Sequence, residues 1–276
     1  MLLASLLFSM MNACVFAITR LEPDIPPSVI SFVRVLCNLI ILILPRASIV
    51  DVTQLFGDRR MSLWLRGLFG SLALMLSFAA ITRIGPGESA FLTASSGFFV
   101  ALLCPLLLRQ PNSWKVWLAI TGSLIGVSLL FTDDGVSADM LGRTMALLSG
   151  FLSALAYLMV ARAGRSNQPE SVIFYFCLVA VMIHLGYFYA FGFCLPLNPQ
   201  SWALLLFAGL LGSGAQLQMT RAYQAAPAAF VSAVGYLAPV LSLLWGVLWF
   251  DQIPGRYAML GSLLVFLFGV VLPFLR

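Results

Sequence analysis

Apolar residues run along this chain in long continuous blocks, broken at intervals by short clusters of Pro, Gly and charged residues. A helix crossing the hydrocarbon core of a bilayer needs about 20 such residues. Cutting at the clusters predicts ten spans: 2–19, 28–44, 63–81, 89–108, 114–131, 141–161, 172–193, 202–223, 230–250 and 257–275. Lipid offers an open backbone no hydrogen-bond partner, and the blocks lack the ten-residue alternation of a membrane strand, so helices are predicted and a barrel is excluded. The expected class is an all-α integral membrane protein, with connections too short for another domain.

Composition agrees with lipid as the solvent. The 276 residues are 61% hydrophobic and 9% charged, against roughly 25% charged in a soluble domain. The first block ends at Thr19-Arg20 without a small-residue cleavage pattern and reads as the first helix. The 15 basic residues, against 10 acidic ones, sit singly in short loops. They therefore mark topology, and no nucleic acid is expected as a partner. With the N-terminus inside, Arg46, Arg59, Arg60, Arg66, Arg109, Lys115, Arg162, Arg165, Arg221 and Arg276 fall on the cytoplasmic side, and Arg20, Arg83, Arg143 and Arg256 outside. This bias predicts a multi-pass protein of the cytoplasmic (inner) membrane with both termini cytoplasmic; Asp51 is then inside and Asp134 outside. Cys14, Cys37, Cys104, Cys177 and Cys194 have no C-x-x-C spacing and His184 is the one histidine, so buried thiols and no metal or cofactor are expected.

Shifted by 142 positions, the chain brings Arg20 onto Arg162, Gly70-Ser71 onto Gly212-Ser213, Ala80 onto Ala222 and Gln110 onto Gln252. With one position more, Ser28-Val29-Ile30 meets Ser171-Val172-Ile173 and Gly126-Val127 meets Gly269-Val270. A five-span unit repeated in tandem must insert its second copy upside down. The expected domains are therefore two inverted repeats, 1–135 and 136–276, an architecture recurrent in alternating-access transporters.

Phe32-Val33-Arg34, Leu65-Arg66-Gly67 and, most specifically, Thr220-Arg221-Ala222-Tyr223-Gln224-Ala225-Ala226-Pro227-Ala228-Ala229 resemble the EamA-like families of the drug/metabolite transporter superfamily, over essentially the whole length. The resemblance implies a ten-helix secondary transporter whose central cavity is lined by the third, fourth, eighth and ninth spans, with help from the first, second, sixth and seventh. Where that pattern ends the fourth and ninth spans in Gly-Glu, this chain has Arg109-Gln110 and Asp251-Gln252, so coupling carboxylates there are not carried over.

Polar side chains inside a membrane tend to face a bundle interior or a water-filled path. At helical spacing, Ser5, Ser9, Asn12 and Phe16 share one face, as do Ser31, Arg34 and Asn38, and Ser149, Ser153 and Tyr157. Gly209, Gly212, Ser213, Gln216, Thr220 and Tyr223 make the longest stripe, and Ser232, Tyr236, Pro239 and Ser242 another. The same stripes suit close helix packing. The candidate cavity set is Asn12, Arg34, Asn38, Ser77, Glu88, Ser96, Tyr157, Gln216, Thr220, Tyr223 and Tyr236. Arg34 is placed to hold a carboxylate or phosphate, or to brace its helix through carbonyls and Asn38. Glu88, after Gly85-Pro86-Gly87, either caps a helix start or faces the cavity and takes up a proton. His184 reads as a packed residue, and Pro105 and Pro239 as hinges.

Leu211-Gly212-Ser213-Gly214 lacks the first glycine of an intramembrane serine protease motif, Asp133, Asp134 and Asp251 lie at span ends, and there is no phosphate-cradling loop. No catalysis is expected. The reading is alternating-access export of small amphipathic, amino-acid-like metabolites by a monomer in the bilayer. Import or exchange of a cationic nucleoside-like metabolite such as S-adenosylmethionine, multidrug export, and a channel or lipid scramblase are the alternatives.

Overall fold

The computed structural model describes residues 1–44, 52–109, 139–251 and 255–274, with positions 114, 118, 121, 122, 125, 126 and 129 between them. Most of the fifth predicted span lies outside the described residues, as do Asp51, Asp133, Asp134, Arg46, Gln110, Lys115, Gln252 and Arg276.

The described elements are helical: α1 (Leu2–Leu21), α2 (Pro27–Ile43), a 3-10 turn (Val52–Phe56), α3 (Met61–Ile84), α4 (Pro86–Thr93), α5 (Ser96–Leu108), α6 (Met140–Ala163), α7 (Pro169–Phe191), α8 (Pro199–Ala225), α9 (Ala228–Gly235), α10 (Leu237–Phe250) and α11 (Arg256–Phe274). Seven helical stretches are long and apolar enough to cross a membrane, counting α4–α5 and α9–α10 as one each, and α2 is a shorter apolar helix. Their starts are written locally. Proline opens α2, α4, α7 and α8, where its missing N–H costs nothing and its φ is already helical. Asp139 and Asn198 cap α6 and α8, accepting from Gly142 N and Gln200 N at 3.0 and 2.9 Å.

The fourth and ninth predicted spans are each broken. Turn hydrogen bonds bridge the breaks, Ser95 N to Leu92 O at 3.1 Å and Gly97 N to Ala94 O at 2.9 Å in one, and Tyr236 N to Ala233 O at 3.1 Å in the other. The two breaks meet, since a Cβ on Gly97 would stand 2.7 Å from the Tyr236 hydroxyl. Of the two prolines taken as hinges, Pro105 lies inside α5, which runs on through it, whereas Pro239 stands just after the break at Tyr236, where its missing N–H leaves the Gly235 carbonyl without its usual i−4 donor.

Element positions recur at a fixed interval. α4 and α9 start and end 142 residues apart, as do the starts of α2 and α7 and the left-handed residues Arg109 and Asp251 that end α5 and α10, at φ +55° and +53°. Packing crosses between halves: α3 lies mainly against α6 and α7, and α8 against α1 and α2. Gly67 and Gly209 sit at two of these crossings. A Cβ on Gly67 would be 2.8 Å from Tyr175 O of α7, and one on Gly209 2.7 Å from the Cys37 side chain of α2. Outward faces carry exposed Leu106, Leu185, Leu210 and Leu248, a surface suited to lipid. Contrary to the expectation of buried thiols throughout, Cys194 is exposed, because it follows the end of α7 in an extended connection.

Candidate functional site

The centre of the bundle is hollow. A cavity of about 170 Å³ is lined by residues from α1 to α10, both helix breaks included. Eight of the candidate residues stand in its wall: Asn12, Arg34, Ser77, Ser96, Tyr157, Gln216, Tyr223 and Tyr236. Tyr157 and Tyr223 stack at 5.0 Å between centroids, planes 21° apart, and present a flat aromatic surface contributed by α6 and α8.

Three candidates do not reach the wall. Asn38 lies one turn beyond Arg34 on α2, buried in the packing rather than on the cavity. Thr220 folds its hydroxyl back to donate to Gln216 O at 2.8 Å. Glu88 is held in the first turn of α4 by an ion pair with Arg143 Nε at 2.5 Å, so the carboxylate is committed to fastening α4 to α6. Arg143, taken from the sequence as a topology marker, is 6% exposed and part of that fastening.

Sequence reasoning missed Arg66. Its place near the start of a span, among loop arginines, read as a topology signal, yet it is 3% exposed and lines the cavity. The signal available was Gly70 one turn on: a Cβ there would overlap Arg66 Nη1, so the arginine lies flat along its own helix. Arg34 has a matching seat on the other half, with Gly212 facing its Nε. Gly70 and Gly212 are 142 positions apart. Both guanidinium groups also flank Phe176 of α7, with Cζ 5.9 Å (Arg34) and 4.7 Å (Arg66) from the ring centroid, within cation–π range.

Neither arginine has a hydrogen bond or ion pair among the described residues, and the Nε of each is buried without an acceptor, as is Nε2 of Gln216. The described lining contains no Asp or Glu. A buried cation is costly unless something satisfies it, and this wall instead offers an acceptor-rich guest two fixed charges beside aromatic surface. The bracing of α2 through Asn38 that the sequence allowed is not formed.

His184 is a packed residue. Nδ1 faces Ala180 O and Nε2 faces Ser31 Oγ, both at 2.7 Å. A carbonyl only accepts, so Nδ1 donates, while the single Ser31 hydroxyl proton lies between Nε2 and Ser28 O, which is 3.0 Å from Oγ. The imidazole thereby pins α7 to α2, away from the cavity wall.

The model of the EamA-like transporter family matches residues 1–132 and again 140–274. Over 264 residues, 95% of this chain and 90% of the relative, the chain is 26% identical to the pseudopaline exporter CntI of Pseudomonas aeruginosa. It is 28% identical to a riboflavin transporter of Rhizobium johnstonii over 202 residues, 72% of this chain and 66% of that one. With the human solute carrier family 35 member G1 it shares 24% over 279 residues, 94% and 76% of the two chains. A solved crystal structure superposes with TM-score 0.73 at 17% identity, covering 99% of this chain and 96% of that one, a likeness of fold alone.

Proposed function

Since this chain belongs to the EamA-like transporter family, we propose that it is a secondary active transporter exporting small amphipathic, amino-acid-like metabolites by alternating access. The observation that carries this reading is the central cavity, walled by both halves and placed where two broken helices touch. Breaks at a central site are where carrier bundles rock and where backbone departs from the helix without facing lipid. Ten spans arranged as two inverted repeats, 1–135 and 136–276, are supported by the double family match and by elements recurring 142 residues apart. Kinship with an exporter favours outward movement. A wall with two arginines and no described acid speaks against a cationic nucleoside-like cargo.

The expected setting is the cytoplasmic membrane with both termini inside, following the positive-inside bias. Cysteines placed at Asp51 and Asp134 should label from the inside and the outside respectively; the opposite pattern reverses the orientation. For the activity itself, purified protein in proteoliposomes should give saturable counterflow of a labelled amino-acid-like solute. Unsaturable flux would indicate a channel, and flip of labelled phospholipid without solute counterflow a scramblase.

A further inference from the structure

Resting on the transporter reading, we infer that Arg34, Phe176 and Arg66 form a two-point clamp for an organic anion bearing two acidic groups on a flat apolar body. Three residues of the cavity wall each carry a buried N–H donor without an acceptor, Arg34 Nε, Arg66 Nε and Gln216 Nε2. Two of them carry a positive charge, and the described lining supplies no carboxylate to balance either. A charge left unpaired inside a span is costly and marks a functional site by default, and the partner that would satisfy both cations is acceptor-rich and negative.

The presence of two planar forks, within reach of one small molecule, points to two acidic groups. Both guanidinium carbons lie against one ring, at 5.9 and 4.7 Å from its centroid, so they are no further apart than those two distances combined. A single carboxylate satisfies one planar fork bidentately; two acidic groups on one small molecule satisfy both. Each arginine is also seated against a helical glycine, Gly212 for Arg34 and Gly70 for Arg66, which fixes the charges before a ligand arrives. The stacked Tyr157 and Tyr223 and Phe176 supply aromatic area for the flat body. The cations are not duplicated by the repeat: 142 positions on, Phe176 stands in place of Arg34 and Ala208 in place of Arg66. Anion recognition is thus confined to one half of an otherwise recurrent frame.

The test is ligand-dependent thermal stabilisation of the purified full chain with probes that share a phenyl group: N-benzoylglutamate with two carboxylates, benzyl phosphate with a doubly charged oxyanion, hippurate with one carboxylate, and the cation N-benzoylputrescine. On the unaltered protein, N-benzoylglutamate should bind about tenfold or more tightly than hippurate and more tightly than benzyl phosphate, whose two charges sit on one acidic group, and N-benzoylputrescine should not stabilise. Arg34→Gln and Arg66→Gln should each lose that preference while retaining the weak hippurate response, and Arg66→Lys should keep part of it. Should a variant not fold, the ranking on the unaltered protein decides. Equal affinity for dianion and cation, no dianion stabilisation, or an Arg66→Gln variant with undiminished dianion affinity overturns the clamp. Counterflow in proteoliposomes separates this from the parent reading. Saturable transport of a cation with no dianion binding leaves a transporter without the clamp; dianion binding without counterflow of any probe leaves the clamp without a transporter.

Discussion

The Nε of Arg34 lies 2.6 Å from where a Cβ on Gly212 would stand, so a cation from α2 is seated on a glycine of α8. In an open helix, Gly→Ala stabilises by about 1 kcal/mol. Here Gly212→Ala should instead destabilise by about 1–3 kcal/mol, the range for overpacking a filled interior, and displace the guanidinium. Melting of the purified variant checks the sign, and a rise in stability would mean that Arg34 is free to move aside.

Arg109 and Asp251 close α5 and α10 at φ +55° and +53°, a left-handed conformation that costs a non-glycine residue roughly 1–2 kcal/mol. Arg109→Gly and Asp251→Gly should each stabilise by about 0.5–1 kcal/mol once the greater entropy of the unfolded glycine is subtracted. Thermal unfolding of single and double variants should show additive gains, as the two sites lie at the ends of separate helices.

The Tyr157–Tyr223 stack should appear as a coupling energy of about 0.5–1.5 kcal/mol in a double-mutant cycle with leucine at each position. If the pair also forms a wall of the binding site, Tyr157→Leu should weaken binding of aromatic probes more than of aliphatic ones. Measuring the cycle both with and without ligand separates the two contributions.

Glu22, just past the end of α1, gathers the start of α8. It accepts from Asn198 N at 2.7 Å, Ser201 Oγ at 2.8 Å and Leu197 N at 3.1 Å. Burial pushes its carboxyl up, but these hydrogen bonds from Ser201, Leu197 and Asn198 outweigh that and hold it below the usual glutamate range. A depressed folded-state value gives stability that is fully present above the unfolded pKa, near 4.3, and is lost as pH falls through the folded value. Melting temperature against pH should therefore drop on the acid side, and Glu22→Gln should flatten that part of the limb.

Span existence was legible because lipid imposes a single rule, a long apolar helix, and the predicted ends fall within a few residues of α1, α2, α3, α6, α7 and α8. The breaks after Thr93 and at Tyr236 were not legible. The first has no proline beside it, the second is followed by Pro239, whose missing N–H leaves the Gly235 carbonyl without its donor, and the two meet at the cavity. Among the site residues, helical spacing found Asn12, Arg34, Tyr157, Gln216, Tyr223 and Tyr236, since a polar stripe within an apolar helix must face inward. For Glu88 it allowed both the first turn of a helix, where the residue stands, and the cavity; spacing along one helix could not decide between them, because it does not reveal a partner on another, here Arg143 of α6. It passed over Arg66 because an arginine near a span end has the same sequence signature whether it snorkels to water or turns inward.

By itself, then, the sequence determined the solvent, the helices and the 142-residue recurrence, all of which follow from local composition and the cost of bare backbone in hydrocarbon. Only the tertiary structure decided which charges are paired and which are left facing the cavity. Pairing depends on distances between helices, and Gly70 and Gly212 set those distances for Arg66 and Arg34 by leaving room that any side chain would fill.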